Sequence, residues 1–483
     1  MQAIHGLNPQ ILWRYFQEIS KIPRESKQEQ KIRAYIIDVA KRLKLTHHED
    51  AAGNIVVFKT GVRHKPTIIL QAHMDMVCEK NTDTVHNFDT DPITLVRRGD
   101  WVMAEGTTLG ADNGIGVAAM LSIMDDASLV HPAIELLFTV DEETGLTGAQ
   151  MIEPGFISGR TLINLDSDDE KELCIGCAGG LDTHLSLPLS YTSAPYNYRP
   201  LRVMLTGLKG GHSGTDIHEG RGNAIKLLSR FLWNARNSID YHLKRIDGGS
   251  KHNAIPRETD AIIFIDPVKI PDLNNFMIRW NKTFAQEFQG IEEDVRIIHA
   301  ELEDSDFQRL SDEDTRKTVD LLYAIPHGVI RSHASLENSP ISSTNLAICG
   351  TVKGELEIVT SQRSFIKSSL QDISDQIKAV AELAGADVSY GQTYPAWKPN
   401  INSPILNTAQ EVYRSVFQRE IGIKVIHAGL ECAVIGEKIP GIDMLSLGPD
   451  IEQAHSPTER VHIKSVERFW DFLIGILSHL ATG

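Results

Sequence analysis

Residues 134–146 read "IELLFTVDEETGL": a largely apolar run from Ile134 to Val140, then Asp141, Glu142 and Glu143 without a break. Such a run fits a strand covered on both faces, as in a parallel sheet packed between helices. Successive side chains of a strand point to opposite faces. Two adjacent carboxylates at its end therefore raise the question of what each is for.

Two further runs share the pattern, "TIILQAHMDMV" (67–77) and "TLINLD" (161–166). Between the first two runs lies "DNGIGVAAMLSIMDDA" (112–127), which reads as a helix with Asp112 placed to cap its start. Upstream, Asn8 followed by Pro9 marks a helix start, and "SKQE" (26–29) reads as a capping box ahead of a helix running towards Leu43. Strands alternating with helices in this way predict an α/β layer with the strands in the middle.

The character changes near "YTSAPYNYRP" (191–200). Beyond it, "RVMLTGL", "DAIIFID" and "ELEIVTS" alternate with amphipathic helices at 222–236 and 272–288, an α+β pattern that ends near "SYGQTYPAWKPN" (389–400). The last ninety or so residues return to the first style, with the strand "IDMLSLG" (442–448) and a final helix from about Ile463. The expected organisation is one α/β domain, residues 1–199 and 391–483, interrupted by an inserted domain at 200–390.

At 483 residues the chain exceeds what one core normally serves. Its 41% apolar and 23% charged residues are ordinary for a globular protein, and 48 basic against 64 acidic residues give a net charge of −16. That balance speaks against nucleic-acid or anionic-membrane partners. Five cysteines (78, 174, 177, 349, 432) are too few and too scattered for a disulfide framework. "CIGC" (174–177) reads as a pair of structural thiols, because no second cysteine pair exists to complete a zinc site. The start lacks the basic and long apolar segments of a signal peptide, and no run of roughly 18 apolar residues suggests a membrane span. A cytoplasmic location is the expectation.

Each α/β strand ends in a potential metal ligand. His73 and Asp75 close the first, Glu142 and Glu143 follow the second, Asp166 ends the third, Asp112 opens a helix, and His455 lies in the loop after 448. Singly, each is ordinary. Together they are expected to converge, because in open α/β sheets ligands bind beyond the carboxyl ends of the strands. Histidines and carboxylates in this mixture suit Zn²⁺ or a similar ion with room for water. The glutamate pair then has a purpose: one carboxylate ligates while its neighbour takes a proton from water, the combination hydrolysis needs. Asp75 suits the task of accepting the second ring N–H of His73.

The stretches "QAHMDMVCEKN" (71–81), "LGADNGIGVA" (109–118), "VDEETGLTGA" (140–149), "INLDSDDE" (163–170), "LKGGHSGTDIHEGRGNA" (208–224) and "AHSPTERV" (454–461) resemble the dizinc aminoacylase/carboxypeptidase family of metallopeptidases. The resemblance runs from near the first helix to the last and is strongest to a bacterial aminoacylhistidine dipeptidase branch. It implies a zinc-peptidase-like catalytic domain with a mixed, largely parallel sheet, and a lid domain in the insertion. It implies two Zn²⁺ per chain, with Co²⁺ or Mn²⁺ as alternatives. Asp112 would bridge them, His73 and Asp166 would complete one site, and Glu143 and His455 the other. Glu142 would be the general base, and the peptide after the bridging aspartate, Asp112–Asn113, would be cis. His212 in "GGHSG" would stabilise the oxyanion. Asn253, Arg363, Gly429 and Glu431 match substrate-binding positions, Arg363 suiting a carboxylate. The substrates implied are Xaa-His and other unblocked dipeptides, and the assembly a homodimer.

Two other readings compete. The same metals on another amide would make an N-acyl-amino-acid deacylase or an aminopeptidase. Against it, the motifs of the dipeptidase branch favour dipeptides with a free amino group, whose ammonium Asp168 and Asp169 would attract, although an acidic turn after a strand is more commonly just solvated. A non-catalytic scaffold on this fold would be expected to have lost Glu142 and His212, and both are present.

Overall fold

The computed structural model describes residues 3–303, 306–332 and 340–483. In it the opening run is a strand, Ile134–Thr139, buried at every position. It pairs in parallel with Ile68–His73, which pairs in parallel with Thr161–Asn164, and Asp443–Ser446 continues the parallel set. Antiparallel strands finish the sheet, with Ile55–Lys59 beside Ile134–Thr139 and Glu172–Cys177 beside Asp443–Ser446, for eight strands in all. The four parallel strands are covered on both faces, but only one face is largely apolar; the other mixes Leu137 and Leu162 with the buried polar side chains of Gln71, Glu135, Thr139, Asn164 and Ser446. Leu70, Leu136 and Ile163 share one apolar cluster with Phe16, Ile115 and Phe472 from the helices.

The helices form where expected, but three starts differ in detail. Pro9 is the N-cap of Gln10–Ile19, while the Asn8 carbonyl accepts the Trp13 indole N–H. The helix Gln30–Arg42 has no side-chain cap. Ser26 donates instead to Asp75, and Glu29 accepts the backbone N–H groups of Lys27 and Asp141. The helix Ala111–Asp125 is capped by Gly110, with non-helical backbone at Asp112 and Asn113. The Asp112 side chain is thus released for other work, and the peptide that follows it is cis.

The chain divides into two compact units: residues 1–176, 397–425 and 430–483 in the first, 177–396 and 426–429 in the second. The second unit is built on a nine-stranded antiparallel sheet whose core includes Leu201, Phe231, Ile263 and Phe284. It begins at Cys177 rather than near 200. The reason is that Gly179–Pro188 pairs along its whole length with Glu355–Ser364 and also with Asp387–Tyr394, far later in the chain. None of the five cysteines is in a disulfide, and Cys174 and Cys177 are buried. Among the described residues, no helix is long and apolar enough to cross a membrane.

Candidate metal centre and active site

Three neighbouring parallel strands deliver most of the site in the first unit. His73 is the last residue of its buried strand, and Asp166 lies two residues beyond Thr161–Asn164. After Ile134–Thr139 the backbone turns sharply at Asp141, whose φ is +50°, into one helical turn that carries Glu142 and Glu143. His455, also at positive φ, comes from the loop after Ile451–Glu452.

Asp112 sits between two pairs. Its Oδ1 is 3.0 Å from His73 Nε2, which lies 3.4 Å from Asp166 Oδ1. Its Oδ2 is 3.3 Å from His455 Nε2, which lies 3.0 Å from Glu143 Oε2. Within each of the sets His73–Asp112–Asp166 and Asp112–Glu143–His455, donor atoms lie within 4.8 Å of one another. Glu142 joins a further set with His73 and Glu143.

The electrostatics call for cations. Burial and the neighbouring Asp112 push Glu143 up to about 7, against the pull of His455. Burial raises Glu142 well above the usual carboxylate range, with Glu143 and Asp166 adding to it against His73. Burial and Asp112 also raise Asp166. Burial works against a charged His73 and a charged His455, yet the surrounding carboxylates hold both well up, His455 at about 11. Glu143 Oε1 is buried with no hydrogen-bond partner. Two clusters of nitrogen and oxygen donors that share one carboxylate, crowded with negative charge, fit a pair of divalent ions.

Asp75, fully buried, ties the parts together. Its Oδ1 is 3.4 Å from His73 Nδ1, whose nearest acceptor is the Asp75 carbonyl at 3.2 Å. Its two carboxylate oxygens accept the backbone N–H groups of Glu142 and Glu143, each at 3.1 Å. Below the site runs a buried polar chain that the sequence did not announce. Gln71 donates to Glu431 at 2.5 Å and accepts from Asn164, whose carbonyl accepts from Ser446. Thr139 also donates to Glu431. Glu431 is fully buried, and burial raises it to about 8.

The other expected residues belong to the second unit. His212 lies on a short strand paired with Ala254–Ile255. Its Nδ1 accepts the N–H groups of Gly214 and Thr215 at 3.2 and 3.1 Å, so the neutral ring carries its proton on Nε2, as a donor. Asn253 precedes the paired strand, and its carbonyl accepts the Ser213 N–H. Arg363 is buried on the strand Glu355–Ser364 and donates to Tyr394 Oη at 2.6 Å, while its Nε has no hydrogen-bond partner. Gly429 packs against the Tyr394 ring so closely that a Cβ would lie 2.8 Å from it. Opposite Arg363 in register is Ser343, which shares a 2.7 Å hydrogen bond with His427. Tyr394, Ser343 and His427 carry no sequence signal of their own; strand register places Ser343 and Tyr394 beside Arg363, and Ser343 in turn holds His427.

Residues 69–479 match the family model described as peptidase family M20/M25/M40. The chain is 37% identical to the cytosol non-specific dipeptidase of Escherichia coli (strain K12), with 99% of each chain covered. The crystal structure of aminoacylhistidine dipeptidase from Vibrio alginolyticus is similar with a TM-score of 0.86 and 37% identity, again over 99% of each chain. Human carnosine dipeptidase 1, 13% identical with a TM-score of 0.52 over 98% of this chain and 97% of its own, shares the fold. The strand ends, the paired donor clusters and these similarities meet in one conclusion: the chain belongs to peptidase family M20/M25/M40.

Proposed function

We propose that the protein is a cytoplasmic, homodimeric metallo-dipeptidase that hydrolyses Xaa-His and other unblocked dipeptides. The observation that carries the reading is Asp112, whose two carboxylate oxygens face two separate histidine–carboxylate pairs. His73 and Asp166 would hold one zinc ion, Glu143 and His455 the other, with Asp112 shared. When bound, the ions supply Lewis acidity, lowering the pKa of water and polarising a carbonyl.

The chain's own residues supply the rest. Glu142, kept out of the ligand pairs but next to Glu143, takes the proton of the attacking water and returns it to the leaving amine. Asp75 holds the backbone of both glutamates and faces His73. His212 offers its Nε2–H to the oxygen on which charge develops. Arg363, with Nε available, suits the substrate carboxylate, and Asn253 and Gly429 complete the contacts to substrate. Glu431, fully buried against Gln71 and Thr139, supports the site from below rather than touching substrate. Likeness to two dipeptidases along nearly the full chain supports the substrate class.

The test is amino-acid release by chelated and then zinc-reconstituted protein, on β-alanyl-histidine and on an N-acetylated amino acid. Metal-restored cleavage of the dipeptide alone is expected. Cleavage of only the acetylated compound would move the enzyme to the deacylases.

A further inference from the structure

Two buried charges outside the donor clusters grip the turn that carries Asp112. Glu459, 2% exposed, lies four residues after His455. Its Oε2 accepts the backbone N–H groups of Leu109 and Gly110 at 2.7 and 2.8 Å. Its Oε1 accepts those of Ala111 and Asp112 at 2.8 and 3.2 Å. Four successive N–H groups can converge on one carboxylate because Gly110 takes the left-handed conformation, φ +69°, and so bends the turn into an anion-binding concavity.

Arg24, also 2% exposed, holds the same turn by its other polarity. Its Nη2 donates to the Gly110 carbonyl, and its Nη1 to the carbonyls of Met74 and Asp75 at 3.1 and 3.0 Å. The Arg24 carbonyl accepts the Met76 N–H. A side chain at position 110 would overlap the guanidinium, so the glycine is required for this approach as well. Glu459 therefore ties the His455 loop to the Asp112 turn, and Arg24 ties the Asp112 turn to the segment leaving His73. Charge-assisted hydrogen bonds to backbone, buried from water, are the strong and geometrically exacting kind.

We infer that Arg24 and Glu459 are positioning residues: they set the loops bearing His73, Asp112 and His455 in ligand geometry before any metal arrives. The inference rests on the metal-site reading above. With both oxygens engaged by N–H groups, Glu459 acts as an anchor for the ligands rather than as a ligand.

Two measurements on the 483-residue chain test it. The first is hydrogen exchange by mass spectrometry on metal-free wild type, for peptides covering residues 105–118. Slow exchange at 109–112 without metal is expected; protection that arises only on adding Zn²⁺ would overturn the inference. The second is Co²⁺ titration, followed by equilibrium dialysis and the visible absorption of bound Co²⁺, of wild type, Glu459→Gln, Glu459→Asp and Arg24→Lys. A Gln turns its amide NH₂ toward two N–H donors, so Glu459→Gln should bind Co²⁺ about 10- to 100-fold more weakly with an altered spectrum. Glu459→Asp, which keeps the charge, should recover part of both. Glu459→Gln that folds, by circular dichroism, with wild-type affinity and spectrum sinks the inference. If Glu459→Gln does not fold, the exchange measurement on wild type decides alone. Failure of the metal-site reading would look different: wild type itself would bind no Co²⁺ stoichiometrically.

Discussion

Asp75 Oδ1 accepts the backbone N–H of Glu142 at 3.1 Å, so the loop leaving one parallel strand fixes the loop leaving its neighbour. The same carboxylate faces His73 on its other side. Asp75→Asn puts a donor where two donors already point, whichever oxygen it replaces. It is expected to lower metal affinity or kcat by about 10- to 100-fold with little change in KM. Metal content after dialysis and steady-state kinetics check this.

Glu142→Ala should retain metal, because neither histidine–carboxylate pair uses Glu142. Turnover should fall by about 10²- to 10⁴-fold or more, the usual contribution of a positioned base. Elemental analysis of the purified variant beside its kcat is the check. Retained turnover would remove the proposed mechanism.

His212→Ala should lower kcat while the metal content stays at the wild-type level, since His212 belongs to the second unit and its ring is oriented there by Gly214 and Thr215. Loss of an oxyanion donor typically costs about 10²- to 10³-fold. An unchanged kcat would exclude His212 from the chemistry.

Chelation should lower thermal stability as well as activity. Glu142, Glu143 and Asp166 crowd one another, with only His73 and His455 set against their charge. An ion that binds only the folded state stabilises it by about 2.7 kcal/mol at a hundredfold excess over its Kd. Differential scanning calorimetry with and without added Zn²⁺ measures the shift, and an unchanged Tm would contradict the cluster's role.

His427 gives the second unit an acid limit. Burial, aided by Arg363 and by His218 and His212, depresses its imidazole from 6.5 to about 3. Below pH about 6.5 the unfolded chain therefore takes up a proton that the folded chain refuses. Stability is fully present above that pH and is lost as pH falls towards 3, by about 1.4 kcal/mol per pH unit from this group. Urea unfolding at several pH values should show a shallower loss for His427→Gln than for wild type. Equal slopes would show that His427 is not the group responsible.

By itself the order of residues determined the α/β class, the buried strands at Ile68–His73, Ile134–Thr139 and Thr161–Asn164, and the acidic and histidine residues at their ends. Those features are local: apolar runs and strand-end positions can be read within ten residues, and the ligand types announce their chemistry. The same local logic misassigned Ser26 and Glu29 to a helix cap. A hydroxyl and a carboxylate spaced for capping look alike whether they bind their own helix or Asp75 and the Asp141 backbone.

Only the tertiary structure decided that the second unit begins at Cys177, that Arg363 faces Ser343 and Tyr394, and that Arg24 and Glu459 hold the Asp112 turn. Each of these depends on which strands and loops are neighbours. Partners such as Leu109 and Glu459 are separated by 350 positions in the chain. No spacing rule reaches that far, because such contacts are set by the packing of the whole sheet.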